Sequence, residues 1–174
     1  MEETRDGSAR AARDERGDDM SNSLRGALDY ATACEKKVEL LYKGWEQHAP
    51  TAQAKSLLAE MGATERGHHE MLLHISATEL VPRRGRPAAG PEVVQFLVDV
   101  PSLHGPLTCE AVAAAVRQEE ALVALYKFLA GLGGETAQLF RALTAEEKRH
   151  VALLLSDVDA AAGTLAAGLG VHRS

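Results

Sequence analysis

The sequence predicts an all-α fold, an antiparallel four-helix bundle with a long crossover between its second and third helices. Three observations carry that expectation. Alanine and leucine dominate while aromatic residues make up only 4% of the chain, and Ala and Leu lead the helix propensities whereas strands favour β-branched and aromatic side chains. Four stretches place their inward-type residues at alternating spacings of three and four, the period of a helix with one buried stripe. The second pair of stretches also rewrites the first pair, as expected of a unit used twice.

At 174 residues and 45% hydrophobic content the chain fits one ordinary domain with a real core. The first residues, MEETRDGSARAARDERGDDM, carry many charges and almost no large hydrophobes, so residues 1–20 are expected to be a charged, disordered tail, with Met20 an alternative start. They also lack the apolar core of a signal peptide. The bundle is expected over 21–158, with 159–174 a short helix or tail. A formal charge of −6 leaves no basic stripe for phosphates, and Arg83, Arg84 and Arg86 lie among Gly and Pro, so nucleic acid is not an expected partner. No run of about 18 apolar residues suggests a membrane span. Cys34 and Cys109 lie far apart with no CxxC pair, which excludes a cysteine-rich zinc or rubredoxin-type iron centre and makes a reducing cytoplasm the expected compartment.

The first stripe runs Leu28, Ala31, Glu35, Val38, Tyr42 and Trp45 and stops near QHAPTA, where Pro50 suits the first turn of a new helix. The second is Leu58, Met61, Glu65, His68, Leu72 and Ile75; the short connection implies antiparallel packing. The Pro- and Gly-rich segment VPRRGRPAAGPEVVQFLVDVPSLHGP then reads as the crossover. Thr108 is the expected N-cap of the third stripe, Val112, Ala115, Glu119, Leu122, Tyr126 and Leu129, which ends at GLGGE. The fourth is Phe140, Leu143, Glu147, His150 and Leu154. Trp45, Met61 and Phe140 are expected in the core, with Cys34 a small buried hydrophobe.

Glutamate and histidine occupy interior positions of these stripes, where an isolated ionised carboxylate is very costly. Residues three apart on a helix face the same way, so Glu65 with His68 and Glu147 with His150 each offer an oxygen and a nitrogen to a common point. Glu35 lies about 14 residues before the first hairpin turn and Glu65 about 16 after it, roughly 20–24 Å along each axis. Glu119 and Glu147 stand at similar distances either side of GLGG. Four glutamates and two histidines can therefore meet at one level. Four negative charges would balance two divalent ions, and mixed carboxylate and imidazole ligation suits iron or manganese. One Glu from each of two helices plus Glu-x-x-His from each of the other two is the arrangement of ferritin-like di-iron and di-manganese carboxylate proteins.

Tyr42 and Tyr126 each follow a glutamate, Glu35 and Glu119, by seven residues. Their side chains lean back toward the carboxylate level, where hydrogen bonds from buried hydroxyls would orient ligand carboxylates. His69, Glu70, Glu120 and Glu146 fall off the seams and read as solvated surface. Glu39, one turn after Glu35, reads as an edge residue, with an additional ligand as the alternative.

Through Glu35 with Tyr42, Glu65 with His68, Glu119 with Tyr126 and Glu147 with His150, the chain resembles the rubrerythrin-like branch of the ferritin-like superfamily over about residues 22–158. The resemblance implies a centre of two iron ions, cycling between Fe2+ and Fe3+, that reduces peroxide or oxygen. Glu65 and Glu147 would bridge, with Glu35 and Glu119 as terminal or bridging ligands. Rubrerythrins proper carry a further glutamate three residues after the third-helix ligand, and here that position is Leu122. They also carry a CxxC rubredoxin domain, absent from this sequence, so the expected electrons come from an external donor. The alternatives sharing this ligand set are an iron-binding or storage module without turnover, as a homodimer or larger assembly, a dimanganese catalase, and a diiron hydroxylase.

Overall fold

A computed structural model describes residues 4–75 and 106–158, with side chains described from residue 24 onward. Four helices follow in order: α1 (Thr4–His48), α2 (Ala52–Leu73), α3 (Cys109–Gly131) and α4 (Ala137–Leu153), the last continued by a π-helical turn, Leu154–Val158. The architecture is all-α, as the periodicity predicts. These bounds write the charged N-terminal segment as a continuation of α1. Residues 76–105 and 159–174 lie outside the described residues, and with them all but the last residue of the expected crossover, 81–106.

Local chemistry sets the breaks. Thr51 caps α2, its hydroxyl accepting from the Ala54 N–H at 3.1 Å, so Pro50 precedes the cap instead of occupying the first turn. A threonine can satisfy a helix-end donor, which a proline cannot. Thr108 caps α3 in the same way, accepting from Ala111 at 3.1 Å. After α3 the chain reverses through Gly133 and Gly134, both at φ +80°, a region that costs residues with a Cβ far more than glycine. Ile75 of the second stripe falls just beyond the end of α2 and is half-buried.

Helix α1 packs along α2, and α3 along α4. Every stripe residue of α1 and α3 named above is buried. The core divides into two clusters with a polar layer between them. One contains Leu28, Ala31, Cys34, Leu72, Leu122, Tyr126, Phe140 and Leu143; the other contains Val38, Trp45, Leu58, Met61, Val112, Ala115, Leu154 and Val158. Following the numbers, α1 and α4 run from the first cluster to the second, whereas α2 and α3 run from the second to the first. Helix α2 therefore ends at one end of the bundle and α3 begins at the other. Each fully buried large apolar side chain contributes about 1.5–3 kcal/mol, and these two clusters hold the layer between them together.

Candidate metal centre

Each helix crosses the polar layer once, and the residues there are Glu35 on α1, Glu65 and His68 on α2, Glu119 on α3, and Glu147 and His150 on α4. All four glutamates are 0% exposed, and both histidines are buried. The structure thus brings together all six side chains picked out by the seams. They form two groups, Glu35, Glu65, His68 and Glu147, and Glu65, Glu119, Glu147 and His150, in each of which one ligand-type atom per residue lies within 4.8 Å of the others. Glu65 and Glu147 belong to both.

The Nδ1 atoms of the two histidines point into the cluster. His68 Nδ1 lies 2.9 Å from Glu147, 3.3 Å from Glu65 and 3.6 Å from Glu35. His150 Nδ1 lies 2.5 Å from Glu65 and 3.3 Å from Glu147. Neither Nδ1 atom makes a hydrogen bond to these carboxylates. They are the distances of groups converging on a shared point.

The tyrosines are cross-paired. Tyr42 on α1 donates to Glu119 on α3, and Tyr126 on α3 donates to Glu35 on α1. Each hydroxyl satisfies one carboxylate oxygen and ties the two hairpins together. The remaining oxygens then sort the glutamates. Glu35 and Glu119 each keep one buried oxygen without a hydrogen bond, while Glu65 and Glu147 keep both. Buried polar atoms ordinarily find partners, and such a concentration of unpartnered ones at a single level calls for a cation.

Electrostatics agree. Burial, then the neighbouring Glu35 and Glu147 carboxylates, push the Glu65 carboxyl well above its usual range. Burial, then Glu65 and Glu147, do the same to Glu119. For Glu147 the upward push of burial is outweighed by His150 and His68, which hold it at about 2. Burial pushes the His68 imidazole down, but Glu147, Glu35 and Glu65 overcome it and raise the ring above its ordinary value. Burial, then Glu119, raises the Tyr42 hydroxyl, and burial, then Glu35, raises Tyr126, so both remain protonated donors. Protons thus do part of the neutralising that positive ions would do in full. The donor set, oxygen-rich with one imidazole per group, fits hard to borderline divalent metals.

Two surrounding residues depart from expectation. Glu146 is exposed at 52%, as a surface residue would be, yet its Oε2 lies 2.5 Å from Nε2 of His68, across the seam between α2 and α4. Nothing in the helical period signals this pair, because it depends on how two helices cross. Glu39 is buried rather than at an edge; it accepts from Lys36 at 2.7 Å, from Arg66 at 3.1 Å and from Lys43. Burial pushes Glu39 up, but these three cations prevail and hold it at about 2. Glu120 and Glu70 are exposed and His69 is intermediate, all away from the cluster.

A helical bundle with a duplicated, buried layer of carboxylates and histidines has the makings of a metal site of the carboxylate and histidine class. Residues 26–155 match the sequence model of the rubrerythrin family, and the chain belongs to that family. No curated protein and no solved structure matches the chain. Among the described residues no helix is long and apolar enough to cross a membrane.

Proposed function

We propose that the chain is a non-haem diiron oxidoreductase that reduces peroxide or dioxygen with electrons from an external donor. One observation supports this reading above the others: the pattern of buried, unpartnered ligand atoms, two each on Glu65 and Glu147 and one each on Glu35 and Glu119. In this reading Glu65 and Glu147, which belong to both groups, would be shared between two ions, with Glu35 and His68 holding one and Glu119 and His150 holding the other. When bound, two irons would supply the two electrons that, with two protons, convert hydrogen peroxide to two waters.

The chain's own residues do the rest. Tyr42 and Tyr126 hold Glu119 and Glu35 in one orientation through hydrogen bonds that reach across the bundle. Leu122 and Leu72 belong to the apolar cluster on one side of the layer, and Val38 and Leu154 to the cluster on the other. Both clusters exclude bulk water, so charge interactions in the layer are little screened. Manganese is the other metal this donor set would take.

The test is elemental analysis of protein purified without added metal, beside the double variant His68→Ala with His150→Ala. About two irons per chain, lost in the double variant, followed by repeated peroxide consumption with a reductant, is the expected result. Iron oxidised once per site without turnover would favour the storage reading, and manganese at that stoichiometry would favour catalase chemistry. No metal retained even after anaerobic Fe(II) addition would overturn the proposal.

A further inference from the structure

The two halves of the centre repeat each other in sequence but not in their surroundings. In the second half Glu146 directly precedes Glu147, and its carboxylate reaches across to Nε2 of His68 at 2.5 Å. The corresponding residue of the first half, directly preceding Glu65, is Thr64, whose hydroxyl donates to the Glu60 carbonyl of its own helix at 3.1 Å. Nε2 of His150 is buried and has no hydrogen-bond partner among the described residues. His68 therefore faces the buried carboxylates through Nδ1 and is hydrogen-bonded at Nε2 by Glu146. His150 also faces the carboxylates through Nδ1 but has no hydrogen bond at either ring nitrogen among the described residues, with the Tyr42 ring packed against it edge-on at 6.3 Å.

A carboxylate that accepts the Nε2 proton fixes the imidazole tautomer, leaves the Nδ1 lone pair free and makes that nitrogen a better donor. Among the described residues only His68 has this support. We propose that Glu146 is a positioning residue that makes the two metal positions unequal, so that the position formed by Glu35 and His68 fills before the one formed by Glu119 and His150. The inference rests on reading the cluster as a dinuclear metal site. It adds an order of loading that the duplicated sequence motif, identical in its two copies, does not contain.

The test is stepwise titration of the metal-free full chain with cobalt(II), followed by visible absorption, in the native sequence, Glu146→Ala and Glu146→Gln. Glu146 is half-exposed and on no core position, so the variants keep the packing intact. The native chain is expected to bind its two ions in two resolved steps. Glu146→Ala weakens the first step about tenfold to hundredfold and leaves the second in place, merging the two. Glu146→Gln, whose amide oxygen still accepts the Nε2 proton, restores most of the separation, which a purely structural role for the side chain would not produce. Two ions bound in one unresolved step by the native chain, or superimposable curves for the native chain and Glu146→Ala, overturn the inference and leave the centre standing. No cobalt bound by the native chain overturns both.

Discussion

Two regions of α1, one turn apart, bury carboxylates by opposite means. Glu39 is enclosed by Lys36, Lys43 and Arg66, so its charge is balanced by side chains whose own ammonium and guanidinium groups stay partly in water. Glu35 and the three glutamates facing it have only two histidines among them, and eight carboxylate and imidazole atoms of Glu35, Glu65, Glu119, Glu147 and His150 lack hydrogen bonds among the described residues, as does His68 Nδ1. Burial of a glutamate on a helix is therefore not what marks a metal site. The mark is burial without a cation supplied by the chain.

The sharpest way to break this contrast is to remove a carboxylate shared by both groups. Glu65→Ala is expected to abolish metal retention, and with it the thermal stabilisation that saturating metal confers, about 2.7 kcal/mol at a hundredfold excess over Kd. Scanning calorimetry with and without Fe(II) or Co(II) would show the metal-dependent rise in Tm for the native chain and none for the variant. In the metal-free state Glu65→Gln should raise Tm instead, by a stability gain on the order of 1–4 kcal/mol, because it removes a buried carboxyl that must either ionise without a partner or hold a proton the unfolded chain would release. A metal-free Tm that falls in Glu65→Gln would refute the claim that this layer is costly without a cation.

Glu39→Ala should behave in the reverse manner. It leaves metal stoichiometry unchanged and costs about 1–2 kcal/mol, less than a fully enclosed pair because its three partners are already partly solvated. Urea titration gives the stability and elemental analysis the stoichiometry; loss of metal in this variant would join the two regions that the structure separates.

The two regions also respond to pH with opposite sign. Glu39 is held at about 2 against 4.5 for the free side chain, so it favours the folded chain above 4.5 and loses that contribution as pH falls toward 2. Glu65 and Glu119 are raised in the folded, metal-free chain. Above 4.5 the unfolded carboxyls have lost protons that the folded ones still hold, so their contribution to stability declines as pH rises and is complete below 4.5. Metal-free protein should accordingly gain less from a shift toward neutral pH than metal-loaded protein. Denaturant midpoints measured across that range in both states test this, and identical slopes would contradict it.

The smallest effect expected is that of Tyr126→Phe, which removes one hydrogen bond to Glu35. A loss of about 0.5–1.5 kcal/mol and a weaker hold on metal should follow, whereas Tyr30→Phe, on the same helix as Glu35 but outside the polar layer, should leave metal affinity unchanged. Equal metal affinities in native chain and Tyr126→Phe would limit the tyrosine to packing.

Much of the site was legible because a helix converts spacing directly into direction. Glu35, Glu65, His68, Glu119, Glu147 and His150 share stripes with apolar residues, and the duplicated Glu-x-x-His at matching distances from two turns places them at one level. The caps were partly legible: Thr108 announces its helix, but Pro50 drew attention from Thr51, since both stand where a helix can begin.

The sequence by itself determined the all-α class, the two hairpins and the polar layer, because period, capping chemistry and turn glycines are local properties. Only the tertiary structure decided the crossing of partners. Tyr42 serves Glu119 and Tyr126 serves Glu35, each on the opposite hairpin; Glu146 reaches His68 on another helix; Arg66 of α2 joins two lysines of α1 around Glu39. These pairs are set by the rotation and spacing of packed helices, quantities that depend on the whole core and that no single stretch of the chain encodes.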